Sequence, residues 1–457
     1  MSELPDKIRT DFTEGSVLRS ILKMGLPSML GFLAQHIYAM ADMFWVSRLP
    51  EAEAAVAAIT FCNNFMWLLF ALNHLVGPGS VAVISRRYGE KAFEDTEKAI
   101  KETLTLKLVF GAAMSLIGWY FLPETLYLLG AREEALQLGI GYGRILLIGL
   151  PIMYATYSIF TALRGVANPN LAMALMLGSN ALNALIDPLL IFGWIGLPAL
   201  GVNGAAYASV LSFSLTLAVG FILFRTNWTN VRLRLTGGAS MGLASMWKIV
   251  RIGIPAFIGE ATFSGSRLLI TPIVAAFGTD VVAAYGVSTQ LFVFGIMILV
   301  GLGLGLSSLV GHNLGAGKKE RARSTGDQSI LLGVGIMAVF GVLTFALAEF
   351  YLGFFFDSPE TIRHGTELLR IWVIGFPFFG AFIMIEEIHV GVGQNMPAMV
   401  VNSIHGWGLQ VLPAVLVTQV LGMGQLAVWW VFALSGVISS TGFYWYYRRG
   451  KWLTAKV

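Results

Sequence analysis

Apolar residues in this chain run in long blocks separated by short polar stretches. A hydrocarbon core of about 30 Å takes about 20 apolar residues of helix to cross. On that ruler the chain holds about twelve spans, predicted at residues 17–44, 53–82, 102–123, 137–160, 170–193, 201–224, 247–277, 281–312, 328–355, 368–392, 397–421 and 425–447. Several exceed the minimum length, which predicts tilt or kinks. The expected fold class is an all-α polytopic membrane protein.

Composition agrees. Hydrophobic residues make up 56% of the chain and charged residues only 12%, about half the charged share of an ordinary soluble domain. The 52 glycines and 18 methionines suit closely approaching membrane helices. The single Cys62 excludes an internal disulfide framework and a cysteine-rich metal site. A net charge of +4 does not point to nucleic acid, because the basic residues are spread over loops instead of forming one patch. Residues 1–16 are polar and mixed in charge, unlike a cleavable signal peptide.

Lysine and arginine then orient the spans. They gather in the second-to-third connection (Arg86, Arg87, Lys91, Lys98, Lys101), the sixth-to-seventh (Arg225, Arg232, Arg234, Lys248, Arg251), the eighth-to-ninth (Lys318, Lys319, Arg321, Arg323) and the tail (Arg448, Arg449, Lys451). The odd-numbered connections are poorer in positive charge and more acidic, as at Glu51 and Glu53. The positive-inside rule places both termini in the cytoplasm, which requires an even number of spans.

The chain also echoes itself. Leu22-Lys23-Met24-Gly25-Leu26-Pro27 is answered by Val250-Arg251-Ile252-Gly253-Ile254-Pro255, and Gly165-Val166-Ala167-Asn168 by Gly391-Val392-Gly393-Gln394, at separations of 226–228 residues. Two halves of six spans start on the same side of the membrane and predict a pseudo-two-fold axis along its normal. The expected organisation is an N-lobe at 1–225, a polar, glycine-containing linker at 226–246 and a C-lobe at 247–457.

Within the apolar blocks a few ionisable residues stand out. A carboxylate at membrane depth costs several kcal/mol and marks a functional site by default. Asp42 shares a helix face with Gln35 and Tyr38, and Asp187 with Asn180 and Asn183, at spacings of three and four residues. Pro27 and Pro188 predict bends that free backbone carbonyls near these groups. Two carboxylates brought together in a dry pocket cannot both ionise cheaply, so such a pair holds and releases a proton. The plainer readings are a buried packing pair, or an Asp42 at the aqueous end of its helix, where Arg48 follows.

In the second half, Glu260, Ser264 and Arg267 share a face, and Glu386, Glu387 and His389 lie in the tenth span. Glu260 with Glu386 or Glu387 can form a second cation site, since carboxylate oxygens suit hard cations. Alternatively Arg267 pairs with one of these acids. His312, His364 and His405 read as packing or rim residues. No sequence of the DDxxD or HExxH kind and no serine nucleophile with a matched base is found, so an intramembrane transferase is not expected.

These residues resemble a known family. Gln35-His36-Ile37-Tyr38-Ala39-Met40-Ala41-Asp42 through Trp45-Val46-Ser47 is similar to the first span of the multidrug and toxic compound extrusion (MATE) family. Leu163-Arg164-Gly165 with Asn180, Asn183, Asp187 and Pro188 is similar to its fourth-to-fifth region, and Gly204-Ala205-Ala206-Tyr207-Ala208 to the start of its sixth span. The resemblance covers essentially the whole chain. It implies a V-shaped pair of six-helix bundles within the multidrug/oligosaccharidyl-lipid/polysaccharide flippase superfamily.

It also implies an antiporter, not an enzyme, that expels organic, often cationic or lipophilic compounds while H⁺ or Na⁺ runs inward. In the DinF-like branch, favoured here over the NorM-like one, Asp42, Asn183 and Asp187 match the N-lobe cation site, with Tyr38 beside it and Ser209 where relatives carry Thr. Phe160-Thr161 departs from relatives that place an Asn there, and the cluster Glu260, Glu386 and Glu387 is closer to the NorM-like C-lobe site.

The expectation is therefore a monomeric efflux antiporter of a prokaryotic cytoplasmic membrane. It needs no cofactor beyond the coupling ion, and its partners are a small organic substrate and the lipid bilayer. A lipid or lipid-linked saccharide flippase of the same superfamily is the alternative.

Overall fold

The computed structural model describes residues 11–226, 228–234 and 241–455, and at 36–41 the helical backbone only. Twelve long helical segments follow one another. The first six are α1 (Val17–Val46), α2 (Ala52–Leu72) continued past a short break as α3 (Gly77–Gly89), α4 (Phe93–Leu128), α5 (Glu133–Gly165), α6 (Pro169–Ile191) and α7 (Val202–Arg225). The second six begin with α8 (Leu243–Ala275), α9 (Thr279–Gly315) and α10 (Lys319–Gly353). Next come α11 (Pro359–Trp372) with α12 (Phe376–Val392), then α13 (Met396–Ser403) running on through π-helical turns at 404–411 and 416–420 around α14 (Leu412–Val415), and finally α15 (Gln425–Arg448). No strand occurs among the described residues.

Ten of these segments are long and apolar enough to cross a membrane, and the pair α11–α12, bent by 58° at its break, makes eleven. The twelfth, α8, is long enough at 33 residues but carries Lys248, Arg251, Glu260 and Arg267. Helices overrun the predicted apolar spans where their ends leave the hydrocarbon. Thus α4 opens with Glu94, Asp95, Glu97, Lys98 and Lys101. Local chemistry sets the other limits. Ser358 Oγ accepts from Thr361 N at 3.4 Å and Pro359 follows, a cap and a first-turn proline that start α11. Gly393, at φ 76°, ends α12 in the left-handed conformation.

The chain forms two compact units, and these cut across the sequence repeat at its ends. One unit contains Leu26–Gly253, the other Thr13–Gly25 with Ile254–Val457. Each boundary falls just before a proline inside a helix, Pro27 in α1 and Pro255 in α8. In the first unit, Cys62, Phe65, Leu122, Leu147 and Tyr154 of α2, α4 and α5 form a buried core. The start of α8 is tied to it through Glu102, which accepts from Ser245 Oγ and, at 3.0 Å, from Gly242 N.

The stretch expected as a linker belongs to this unit over much of its length. Asn230 Nδ2 donates to Val166 O at 2.8 Å, Arg234 N donates to Glu97 at 2.7 Å, and Val231 and Leu233 are buried. In the second unit, Lys318 Nζ donates to Thr13 O and Oγ1 at 3.0 Å, and Arg321 donates to the carbonyls of Glu14 and Gly15. These bonds hold the segment before Pro27.

Candidate cation-coupling sites

In the first unit the carboxyls of Asp42 (α1) and Asp187 (α6) meet within hydrogen-bonding reach of each other. Asp42 is 7% exposed and Asp187 fully buried. Pro188 directly follows Asp187 inside α6. Asn183, one turn earlier and on the same face, donates from Nδ2 to Ser209 Oγ of α7 at 3.4 Å. Its own Oδ1 and both oxygens of Asp187 are buried without a hydrogen-bond donor among the described residues, as is Asn180 Nδ2 without an acceptor. Buried acceptors in such surplus are costly unless a proton or cation is shared among them. Gln35 takes a different partner, donating from Nε2 to Tyr157 OH of α5 at 3.5 Å. The side chain of Tyr38 lies outside the described residues.

One α5 residue that the sequence reading passed over completes this pocket, and a second meets Gln35 farther along the same helix. Tyr142 is 3% exposed and lies beside both aspartates, close enough to feel their charge. Tyr157 stands between Gln35 and the rings of Phe70, Phe160 and Phe213. As two tyrosines in an aromatic-rich helix they carry no local signal, since only long-range packing brings Tyr142 to the acids and Tyr157 to Gln35.

In the second unit the acids divide. Glu260 of α8 accepts from Ser264 Oγ at 3.1 Å and lies close to Glu386 of α12, whose Oε1 accepts from Asn402 Nδ2 of α13 at 2.8 Å. Asn402 was not among the expected residues, being sixteen positions beyond Glu386 and on another helix.

Glu387 points elsewhere. Consecutive helical residues diverge by about 100°, and the Glu387 side chain runs onto α9, where a Cβ added to Gly303 would lie 2.3 Å from its Cγ. Of the two pairings left open by the sequence, Glu260 with Glu386 or with Glu387, the structure brings together the first and adds the amide of Asn402. The alternative in which Arg267 pairs with one of these acids is not seen: Arg267 forms no ion pair among the described residues. Seven residues beyond Glu260 it has advanced about 10 Å along α8 at 1.5 Å per residue, and there it lines an aromatic cavity. No group of three or more His, Cys, Asp or Glu able to hold a metal ion occurs among the described residues.

Comparison with known proteins agrees with this architecture. The sequence profile of the MatE family matches residues 27–189 and 255–416, two stretches related as the internal repeat predicts. The chain is 27% identical over 435 residues to the probable multidrug resistance protein YoeA of Bacillus subtilis strain 168, covering 95% of this chain and 94% of that protein. It is 25% identical over 433 residues to the multidrug export protein MepA of Staphylococcus aureus strain MSSA476, covering 94% and 91%. Among solved structures, an outward-facing multidrug resistance MATE family transporter of the MOP superfamily superposes over all of both chains with a TM-score of 0.87 at 22% identity. A MOP superfamily transporter from Pyrococcus furiosus does so equally well. At that identity the likeness establishes the fold, while the profile covers well over half of the sequence. The chain belongs to the MatE family of multi-pass membrane transporters.

Proposed function

We propose that this transporter is a secondary-active multidrug efflux antiporter, expelling organic cationic or lipophilic compounds in exchange for protons bound at Asp42 and Asp187. The observation that carries the reading is the pair of buried carboxyls within reach of each other, with both Asp187 oxygens lacking any other donor among the described residues. One proton shared between them removes the repulsion of two adjacent negative charges. A proton arriving from outside loads the pair, and its loss inward resets it. Asn183, held by Ser209, and Tyr142 line the loaded state.

For a neutral lipophilic substrate exchanged one-for-one, moving the proton's charge inward through 100 mV supplies about 2.3 kcal/mol, roughly a fifty-fold gradient; for a monovalent cation the exchange moves no net charge and the pH gradient alone drives it. The names of the relatives support a multidrug range, and the lysine and arginine distribution supports both termini on the cytoplasmic side of the membrane. A second reading, coupling to Na⁺ through the other unit, is favoured by the Glu260–Glu386–Asn402 cluster.

The test is accumulation of ethidium in proteoliposomes under an imposed pH gradient or an imposed Na⁺ gradient, with wild type and Asp187→Asn. Uptake driven by pH and lost in the variant supports the proton pair. Uptake driven by Na⁺ and retained in the variant moves coupling to Glu260 and Glu386. No gradient-driven movement of ethidium or other cations overturns the antiporter reading in favour of a lipid flippase.

A further inference from the structure

The second unit contains a cavity of about 30 Å³ walled by aromatic rings and bearing one formal charge, the guanidinium of Arg267. That volume holds one or two waters or a small anionic head group, not a whole drug molecule. We propose that it is an anion-recognition site, in which Arg267 takes the carboxylate, or an equivalent phosphate, of an amphipathic compound whose apolar body extends out through the cavity's opening.

Three observations converge here. First, Arg267 has no acidic partner in its own unit among the described residues, although Glu260 lies on the same helix. A charged side chain at membrane depth is almost always paired or turned to a water-filled cavity, and guanidinium is the group whose planar fork fits carboxylate and phosphate two bonds at a time. Secondly, the wall is preassembled. Phe292 packs on Trp372 with centroids 4.3 Å apart, Trp372 on Phe432 at 5.8 Å, and Phe432 on Tyr285 at 5.9 Å. Gln410 adds a neutral polar group to the lining and is steadied by donating to Ser435 Oγ at 3.2 Å.

Thirdly, two departures from regular helix meet at this cavity. Trp372 ends α11 at the 58° bend, and Gln410 sits in the π-helical stretch 404–411. π-Helical turns recur at functional sites because they displace side chains from the regular ladder. Acids dominate the polar pocket of the first unit, whereas this one offers a cation. It therefore selects for the opposite charge, and its ligand class is independent of how the Asp42–Asp187 pair works.

The test uses the full-length protein purified in dodecyl maltoside, with binding of radiolabelled 2-naphthoate measured against its uncharged analogue 2-naphthamide. Wild type is expected to bind naphthoate at least tenfold more tightly than the amide. Arg267→Gln is expected to erase that preference, and Arg267→Lys to keep part of it, since a point charge lacks the fork. Gel filtration and thermal unfolding of Arg267→Gln, expected to match wild type, separate loss of recognition from loss of fold. Repeating the wild-type measurement in phosphatidylglycerol and in phosphatidylcholine nanodiscs distinguishes the source of the anion. Displacement of naphthoate by phosphatidylglycerol alone assigns the site to a lipid head group, and no displacement by either assigns it to a free solute. Equal affinity for acid and amide in wild type, or an unchanged preference in Arg267→Gln, overturns the proposal.

Discussion

A close approach of α9 and α12 in the second unit allows a quantitative prediction. Gly303 and Ser307 lie one turn apart on α9, facing Glu387 and Gly391, one turn apart on α12. A Cβ placed on Gly391 would sit 2.1 Å from Ser307 O, 2.8 Å from its carbonyl carbon and 2.9 Å from its Cα. Ordinary contact begins near 3.4 Å, so Gly391→Ala demands about 1.3 Å of separation (3.4 − 2.1). All three atoms are backbone, and no side-chain rotation relieves the clash. Small residues let membrane helices approach at such points, and association there rests on the dispersion contacts the approach permits.

Overpacking costs about 1–3 kcal/mol, and backbone meeting backbone belongs at the upper end. At about 2–4 °C per kcal/mol for a unit of this size, Gly391→Ala lowers Tm by roughly 6–12 °C. The control is Gly335→Ala on α10, where a new Cβ meets nothing within 4 Å. It gains up to about 1 kcal/mol of helix propensity, so its Tm is unchanged or slightly raised. Thermal unfolding in detergent, followed by fluorescence-detected gel filtration, separates the two. Equal midpoints for both variants would refute the geometric reasoning.

Two further outcomes follow from the first unit. Lys107, buried in α4, donates to the backbone carbonyl and to Oδ1 of Asn73 at the break between α2 and α3, beneath the ring of Tyr154. Lys107→Met leaves those acceptors without their charged donor, a loss of about 1.5–3 kcal/mol, read as a lower Tm in the same assay; no shift would show that the break needs no brace. Glu102→Ala removes the acceptor for Ser245 and Gly242. It should cost about 1–3 kcal/mol and speed tryptic cleavage at Lys248, whereas cleavage at the wild-type rate would mean the start of α8 is held otherwise.

Much of this protein was written in its hydrophobic pattern. Length and apolarity predict the long helices, because lipid forces every backbone polar group to bond within its own segment. Predicted and observed segments agree to within a few residues at 170–193 against Pro169–Ile191 and at 425–447 against Gln425–Arg448. Where the backbone departs from one continuous helix, pattern says little. The bend after Trp372 leaves no gap in apolarity, and the break after Leu72 is marked only by Asn73, His74 and Gly77-Pro78-Gly79, too short a dip to divide the predicted span at 53–82.

The sequence likewise marked Asp42, Asn183 and Asp187, since a polar residue inside an apolar span is conspicuous wherever it folds. It could not say which polar residues would meet. Asp42 and Asp187 are joined, Glu386 meets Glu260 while Glu387 turns onto α9, and Arg267 leaves the acids for an aromatic cavity. Those partnerships depend on how each helix is rotated and how closely its neighbour approaches. Steric fit between distant segments decides both, and it has no counterpart in local composition. The sequence by itself determined what must lie in the membrane and which groups are too costly to be there idly; the tertiary structure alone decided which of them face one another.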